Sequence, residues 1–281
     1  MPAKILILGA SGFIGNALYK ELCPYFDVHG TYAGRSVVHE VNQVMHRFHM
    51  DKDDIDDLLN LVQPQIIISS LRGDFSDQYR VHLQISAYIQ TRMDCRLLFL
   101  STVNVFDGKY AFPSYEYDGQ LAESDYGKYK ASVEKLLTEL PPDSYAILRL
   151  PIVLGVNAPR IVQLKQATKH QAAFEVYPNL IISATTDYKI AQQVHYLINK
   201  DLFGIFHLTS QDVMHHEDLF IELSDRLGLK DVIFKQTFIS NEDRYLAILP
   251  KENKLPKAYR ITMGQLMDDI SLKEDINTLK K

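Results

Sequence analysis

A glycine-rich turn near the amino terminus is the feature that most limits how this chain can fold. The turn, Gly9-Ala10-Ser11-Gly12-Phe13-Ile14-Gly15, follows the apolar run Lys4 to Leu8 and precedes a segment whose apolar residues share one helical face. A chain that passes from strand to helix this abruptly needs glycine torsions. Missing side chains also let backbone N–H groups approach a phosphate at the positive end of the helix. The position of this GxxGxxG predicts a nucleotide site, with a chance turn as the alternative.

Strand and helix patterns alternate after this turn. Further strands are predicted at Val28 to Tyr32, Arg47 to Met50, Gln65 to Ser69, Arg96 to Ser101 and Tyr145 to Leu150. Helices are predicted at Asp53 to Val62, Asp77 to Met93 and Tyr126 to Leu140. This alternation predicts right-handed βαβ crossovers and an α/β fold with a doubly wound parallel sheet.

After Pro151 strands and helices no longer alternate regularly. This part of the chain contains predicted helices near Arg160 to Lys169, Tyr188 to Asn199 and Glu217 to Leu227, and a strand at Ile205 to Leu208. We therefore expect a dinucleotide-binding domain over residues 1–150. A smaller mixed α/β substrate lobe over residues 151–281 is expected to interleave with the last sheet elements.

The choice of dinucleotide should depend on residues after the second and third strands. No acid follows the second strand to hold a ribose 2′-hydroxyl, whereas Arg35 with Ser36 would accommodate a 2′-phosphate, so NADP(H) is favoured over NAD(H). A solvated loop arginine is the alternative for Arg35. Asp51 could face the adenine or cap the next helix. The other residues expected at the cofactor are Gly9, Ser11, Gly12, Phe13, Ile14, Gly15, Tyr126 and Lys130.

A tyrosine and a lysine stand four residues apart in a predicted helix. Tyr126 and Lys130 share one face of it, so the lysine cation is expected to lower the pKa of the phenol and allow proton transfer near neutral pH. An ordinary surface tyrosine is the alternative. Thr102, at the carboxyl end of a predicted strand, would hydrogen-bond the same substrate oxygen, because ligands gather beyond strand ends in such sheets.

Composition and charge exclude several classes of function. The formal net charge is -5, and the 30 basic residues are scattered, so we expect no nucleic-acid partner. Two cysteines, Cys23 and Cys95, are too few for a disulfide framework or a metal site. The amino-terminal apolar run is too short for a signal peptide or a membrane span, so no membrane partner and a cytoplasmic location are expected.

Two segments could suggest a metal, and neither predicts one. His215 and His216 are adjacent but lack a third ligand at metal spacing. The acidic stretch from Asp51 to Asp57 lacks the glycine and terminal glutamate of a calcium loop, and is better explained as a helix start. No metal is expected.

These motifs together resemble the extended short-chain dehydrogenase/reductase superfamily, and more narrowly the dTDP-4-dehydrorhamnose reductase family. The resemblance rests on the glycine turn, on Ser101-Thr102-Val103-Asn104-Val105-Phe106-Asp107-Gly108, on Tyr126 with Lys130, and on Ile182 to Val194, and it covers most of the chain. It implies a Rossmann sheet, a nucleotide-activated keto-sugar as substrate, and Thr102, Tyr126 and Lys130 as catalytic residues. It also implies substrate contacts from Asn104, Val105 and Phe106.

Several positions depart from the family pattern. His82 stands where relatives usually carry asparagine, Val103 and Asn104 replace an Asp-Tyr pair, and the chain has no tryptophan. Arg72 falls in a segment that is usually Asn-Ala-Ala, and it could contact a phosphate or simply be solvated. These departures weaken an assignment to rhamnose itself.

Three functions follow from these observations. The leading hypothesis is an NADP(H)-dependent reductase in which the nicotinamide gives hydride and Tyr126 gives the proton. An epimerase or dehydratase of the same superfamily is the second, although Val103 and Asn104 offer no carboxylate for dehydration. The third is a binding or regulatory subunit that keeps the fold without turnover. A homodimer is left open.

Overall fold

A computed structural model describes residues 2–34, 42–92 and 94–279, and the elements below are those of this part of the chain. The strands are β1 (Lys4–Leu8), β2 (Asp27–Tyr32), β3 (Met45–Arg47), β4 (Ile66–Ser69), β5 (Arg96–Thr102), β6 (Tyr145–Leu150), β7 (Ile152–Leu154), β8 (Ala173–Val176), β9 (Leu180–Ile182), β10 (Ala184–Thr186), β11 (Gly204–His207), β12 (Met214–His215), β13 (Ile233–Gln236) and β14 (Arg244–Leu246). The helices are α1 (Phe13–Leu22), α2 (Ile55–Val62), α3 (Phe75–Thr91), α4 (Asp125–Thr138), α5 (Pro159–Lys169), α6 (Asp187–Asn199), α7 (His216–Arg226) and α8 (Met263–Leu279).

Seven parallel strands form the central sheet, in the order β11-β6-β5-β4-β1-β2-β3. The chain starts in the middle of this sheet: Ile5 pairs with Val28 of β2 on one side and with Ile66 of β4 on the other. The strand order reverses between β1 and β4, and this topological switch point is where doubly wound sheets bind ligands. The predicted α/β fold with a doubly wound parallel sheet is confirmed.

Helices cover both faces of the sheet because its strands are apolar on both sides. β5 shows the reason, since all seven of its residues are buried. On one face α1 and α6 pack against residues such as Ile7 and Leu148. On the other face α2, α3 and α4 pack against residues such as Leu6 and Phe99.

A second apolar core lies in the carboxyl-terminal part. Three small sheets, β7 with β10, β8 with β13, and β9 between β12 and β14, surround a cluster that includes Phe174 and Phe220. Helix α8 adds Leu266 and Ile270 to the same cluster. The lobe is therefore mixed α/β, as expected, while β11 returns to the central sheet beside β6. The division at residues 150 and 151 stays a prediction.

Some elements differ from those predicted. The third strand is Met45–Arg47, not Arg47 to Met50, because its backbone pairs with Gly30 to Tyr32 of β2. Phe48 and Met50 supply the apolar pattern from the following loop, where Phe48 packs into the core. Within the described residues, no helix has both the length and the apolar character needed to cross a membrane.

Candidate active site

A groove of about 1040 Å³ opens at the carboxyl edge of the central sheet. The ends of β1, β2, β4, β5 and β6 contribute to it, as expected for a ligand site at the switch point. Of the predicted site residues, those that line the groove are Gly9, Ser11, Gly12, Phe13, Ile14, Gly15, Asp51, Thr102, Tyr126 and Lys130. The groove therefore joins the glycine turn to the tyrosine and lysine.

The glycine turn leaves the first backbone amides of α1 facing the groove. Gly9 has a φ of +80°, a conformation that favours glycine, and its N–H donates to Thr31 Oγ1 at 2.8 Å. Gly12 caps α1 without any side-chain hydrogen bond, and the first turn carries no acid. The amides at this positive helix end consequently keep their capacity to bind an anion. These features fit the pyrophosphate of a dinucleotide.

Gly15 is required by close packing between α1 and the end of β1. A Cβ atom at this position would collide with the carbonyl oxygen of Gly9 and would stand 2.9 Å from Ser70 Oγ. That hydroxyl donates to the carbonyl oxygen of Leu8 at 2.8 Å, which ties the β4 end to the glycine turn. Ser70 was absent from the sequence-based set, and its role is visible only when β1 and β4 are placed side by side.

The far end of the groove is formed by the end of β2 and by residues that follow β2 and β3. Tyr32 and Ala33 lie there with Asp51, whose side chain is 58% exposed. The alternative role of Asp51 as a helix cap is wrong, because Asp54 caps α2 by accepting from the Asp56 N–H. Arg35, the residue predicted to favour NADP(H), lies outside the described residues.

Tyr126 and Lys130 lie one turn apart on α4, as their spacing predicts. The helix starts where Ser124 Oγ accepts from the Gly127 N–H at 3.0 Å. Tyr126 is 40% exposed to the groove, whereas Lys130 and Thr102 are buried. The structure thus brings Thr102, Tyr126 and Lys130 to the same end of the groove.

The pKa of Tyr126 differs from the expectation. Burial raises this pKa above its ordinary value, and hydrogen bonding with Thr102 and the positive charge of Arg72 only partly oppose the effect. Lys130 does not contribute in the expected way. Its Nζ atom is 5.9 Å from the centroid of the Tyr126 ring and donates to the Leu100 carbonyl oxygen at 2.8 Å. The expectation that Lys130 brings the phenol pKa down to neutrality is not met in this geometry.

Lys130 lies above a buried ion pair that sequence reasoning missed. Burial lowers the pKa of Lys130 to about 7, while the carboxylate of Glu134, one helical turn away, acts to raise it. Glu134 accepts from Arg149 Nη2 at 2.7 Å and from the Ser101 hydroxyl. The i, i+4 spacing of Lys130 and Glu134 was a usable signal, but the pairing with Arg149 on β6 was not.

The predicted substrate residues do not behave alike. Asn104 borders Thr102, since its N–H donates to Thr102 Oγ1 at 3.2 Å and its side chain accepts from the same hydroxyl at 3.0 Å. Val105 and Phe106 lie instead in a buried cluster with Ile248 and do not line the groove. The short 3₁₀ turn after β5 directs both side chains inward, so the structure gives them a packing role rather than the expected substrate contact.

His82 is a buried, neutral residue behind the site. It lies within hydrogen-bond distance of Ser69 Oγ (2.9 Å) and of the Gln78 carbonyl oxygen (2.6 Å). Burial, followed by the charge of Lys130, lowers the pKa of His82 to about 3. The imidazole therefore satisfies polar groups of β4 and α3, and it does not line the groove.

The two histidines considered as metal ligands point to different surroundings. His215 lies near Asp218 and Asp243, while His216 is buried and accepts from the Tyr177 N–H at 3.3 Å. Among the described residues, no group of three or more histidine, cysteine, aspartate or glutamate side chains could hold a metal ion.

Two curated proteins are similar to most of the chain. The spore coat polysaccharide biosynthesis protein SpsK of Bacillus subtilis (strain 168) is 26% identical over 247 residues, covering 83% of each chain. The methionine adenosyltransferase 2 subunit beta of Danio rerio is 24% identical over 250 residues, 80% of this chain and 74% of the relative. The names of these two relatives state different functions.

Solved structures share the fold over nearly the whole length. The dTDP-4-dehydrorhamnose reductase of Bacillus anthracis str. Ames, in complex with NADP, has a TM-score of 0.75 at 17% identity, with 97% of this chain and all of that chain covered. Other structures of this fold hold NAD.

A family model decides the assignment. The model described as the RmlD substrate binding domain matches residues 80–242, which is more than half of the chain. This match confirms the predicted family and, with it, the predicted class of NAD(P)-dependent oxidoreductase. The chain belongs to the RmlD substrate binding domain family, the dTDP-4-dehydrorhamnose reductase family of extended short-chain dehydrogenase/reductase type.

Proposed function

We propose that the protein is an NADP(H)-dependent reductase of a nucleotide-activated keto-sugar. The observation that carries the proposal is one continuous groove, with the glycine turn at one end and Thr102, Tyr126 and Lys130 at the other. The amides at the start of α1 would hold the pyrophosphate of a dinucleotide in this groove, and Tyr126 and Lys130 would adjoin its nicotinamide end. The Bacillus anthracis reductase binds NADP in the same fold, which supports the choice of cofactor class.

Tyr126, Thr102 and Lys130 each have a separate role in the proposed reduction of a carbonyl group. The bound nicotinamide supplies hydride to the carbonyl carbon. Tyr126 donates the phenolic proton to the carbonyl oxygen, and its raised pKa keeps the phenol protonated and ready to donate at neutral pH. Thr102 hydrogen-bonds the same oxygen. Lys130, which donates to the Leu100 carbonyl oxygen, would hold the nicotinamide ribose.

The preference for NADP(H) rests on the residues after β2. The end of β2 and the residue after it, Thr31, Tyr32 and Ala33, line the groove and include no acid to hold a ribose 2′-hydroxyl. Arg35 follows in the sequence and is the proposed partner of the 2′-phosphate. The keto-sugar is proposed because SpsK and the dTDP-4-dehydrorhamnose reductases act in carbohydrate chemistry by their names.

A binding or regulatory subunit is the second candidate. The similarity to the methionine adenosyltransferase 2 subunit beta favours it, since that relative is named as a subunit of another enzyme. The buried location of Val105 and Phe106 also leaves fewer side chains to hold a sugar. On this reading the groove binds a dinucleotide without turnover.

The deciding experiment is NADPH oxidation with a panel of nucleotide 4-keto-sugars, with NADH run in parallel. We expect turnover of at least one sugar, faster with NADPH. In Tyr126→Phe the rate should fall about a hundredfold or more. Tyr25→Phe is the matched control, because Tyr25 is an exposed tyrosine outside the groove, and its rate should equal that of the unaltered protein.

Other outcomes point to the other functions. Survival of hydride transfer within about tenfold in Tyr126→Phe, roughly 1.4 kcal/mol of barrier, would exclude the phenol as the acid. Micromolar dinucleotide binding without turnover of any sugar would favour the subunit. A dinucleotide that stays bound through purification, with no net NADPH oxidation, would favour an epimerase.

A further inference from the structure

Arg72 projects from a short loop whose ends are both fixed. The loop joins β4, which ends at Ser69, to α3, which starts at Phe75. On one side Ser70 Oγ donates to the Leu8 carbonyl oxygen, so the loop adjoins the glycine turn. On the other side Asp74 caps α3 by accepting from the N–H groups of Ser76 and Asp77. The backbone around Arg72 is therefore held in place.

Among the described residues, Arg72 and Arg160 are the arginines that line the groove, and their contacts differ. Arg160 donates to the Gln163 side chain at 2.8 Å and to the Glu175 carbonyl oxygen at 2.5 Å, and it lies 4.2 Å above the Phe174 ring. Arg72 is exposed and makes no hydrogen bond or ion pair with the described part of the chain. Its guanidinium is thus available to interact with groups in the groove.

The loop that carries Arg72 lies beside Tyr126: Phe75, where the loop ends, has its ring centroid 5.9 Å from that of Tyr126, and Arg72 lines the same groove as both. The positive charge of Arg72 therefore acts on Tyr126 and also on Lys130. The charge of Arg72 lowers the pKa of Tyr126, where it opposes the larger effect of burial. It also lowers the pKa of Lys130, where burial has the larger effect in the same direction. A guanidinium stays protonated at every pH that a protein tolerates, whereas Lys130, with a pKa of about 7, loses its charge near neutrality. Arg72 consequently offers the Tyr126 phenol a positive charge that does not depend on pH near neutrality.

We propose that Arg72 is a positioning residue for proton transfer, and that its charge stabilises the ionised form of Tyr126. The i, i+4 spacing predicts this supporting role for Lys130, but its ammonium group donates to the Leu100 carbonyl oxygen instead. The inference rests on the proposed function, because a stabilised phenolate matters only where Tyr126 exchanges a proton with substrate. Its physical content, an electrostatic coupling between two side chains, can be measured without any substrate.

The test replaces Tyr126 with 3,5-difluorotyrosine, whose phenol ionises at lower pH, and follows its fluorine resonance through a pH titration of the protein without ligands. In Arg72→Met the midpoint should rise by about 0.5 unit or more, since an opposite charge in a partly solvated site is lost. Arg72→Lys should restore a midpoint within about 0.3 unit of the parent, because it keeps the charge.

Lys128→Met is the matched control. Lys128 is an exposed cation two residues from Tyr126 that does not line the groove, so its removal should leave the midpoint unchanged. An unchanged midpoint in Arg72→Met, or an equal rise in Lys128→Met, would overturn the proposal. If Arg72→Met weakened NADPH binding and left the midpoint unchanged, Arg72 would be a phosphate ligand instead.

The titration and the sugar panel fail independently. A coupling between Arg72 and Tyr126 that is present in a protein without turnover would leave the electrostatic inference intact and remove the proposed reductase function. Turnover in a protein whose Tyr126 titration midpoint is the same with and without the Arg72 charge would keep the reductase function and remove the electrostatic inference.

Discussion

The Nζ atom of Lys130 lies 2.8 Å from the carbonyl oxygen of Leu100, and this hydrogen bond fixes the lysine at the end of β5. The ammonium group also lies 4.4 Å above the Phe99 ring, in an almost fully buried position. Burial lowers the pKa of Lys130 to about 7, so the protonation of this lysine responds to any charge that enters the groove.

NADPH binding should therefore be accompanied by proton uptake at about pH 8. At that pH Lys130 is largely neutral in the protein without ligand, and the negative charge of the dinucleotide raises its pKa. We expect uptake of a large part of one proton, measured by titration calorimetry in buffers of different ionisation enthalpy. At about pH 6, where Lys130 is already protonated, the uptake should disappear.

Lys130→Met provides the control for this prediction. The variant cannot take up the proton, so its binding enthalpy should no longer depend on the buffer. Equal uptake in Lys130→Met and in the unaltered protein would show that another group titrates.

Glu134 and Arg149 form a buried pair whose loss should be costly. Each side chain is almost fully buried. Arg149 Nη2 lies 2.7 Å from Glu134 Oε2, and Arg149 Nε lies 3.1 Å from each of the two carboxylate oxygens. Glu134→Gln would leave the Arg149 charge without its partner, so the free energy of unfolding should fall by about 3–5 kcal/mol in urea denaturation.

A surface pair of similar length gives the comparison. Glu222 and Arg226 approach to 2.6 Å on α7, and both side chains are partly exposed. Glu222→Gln should cost less than about 1 kcal/mol, because water and salt screen exposed charges. Similar losses in the two variants would contradict the role given to burial.

Gly15→Ala should abolish tight dinucleotide binding. The added Cβ atom would collide with the Gly9 carbonyl oxygen, which belongs to the backbone and cannot move without distorting the glycine turn. We expect at least a tenfold loss of NADPH affinity, or about 1.4 kcal/mol, by fluorescence titration. Gly119→Ala is the control, since a Cβ atom there meets nothing within 4 Å. Unchanged affinity in Gly15→Ala would mean that the turn does not contact the phosphates.

The central sheet was predictable because its strands are apolar runs separated by helices with a clear apolar face. β1 and β6 were predicted with the bounds that the structure shows. The three-residue strands β7, β9 and β10 were missed, since a strand that short has no measurable period and exists only through its partner. Helix α8 was missed because its charged sequence conceals the few residues, such as Leu266, that enter the core.

The candidate site was predictable where it depends on spacing along one element. Tyr126 and Lys130 share a helix, and Thr102 ends a strand, and the three line one groove. The directions of the side chains could not be predicted from the sequence. Val105 faces the core because of a 3₁₀ turn, and the contact of Lys130 with the Leu100 backbone depends on how α4 packs against β5.

His82 should make the protein sensitive to acid. Its pKa is about 3 in the fold and about 6.5 in an unfolded chain, so its contribution to stability is complete above pH 6.5 and declines as the pH falls toward 3. His82→Asn removes this titration, so between pH 7.5 and pH 5 the variant should lose about 2 kcal/mol less stability than the unaltered protein. Urea denaturation at each pH measures the difference, and it is the pH dependence that counts, because loss of the buried ring also lowers stability at pH 7.5.

The exposed His170 gives the control, since His170→Asn should retain the original acid profile. Parallel profiles for His82→Asn and the unaltered protein would contradict a neutral, buried imidazole at this position.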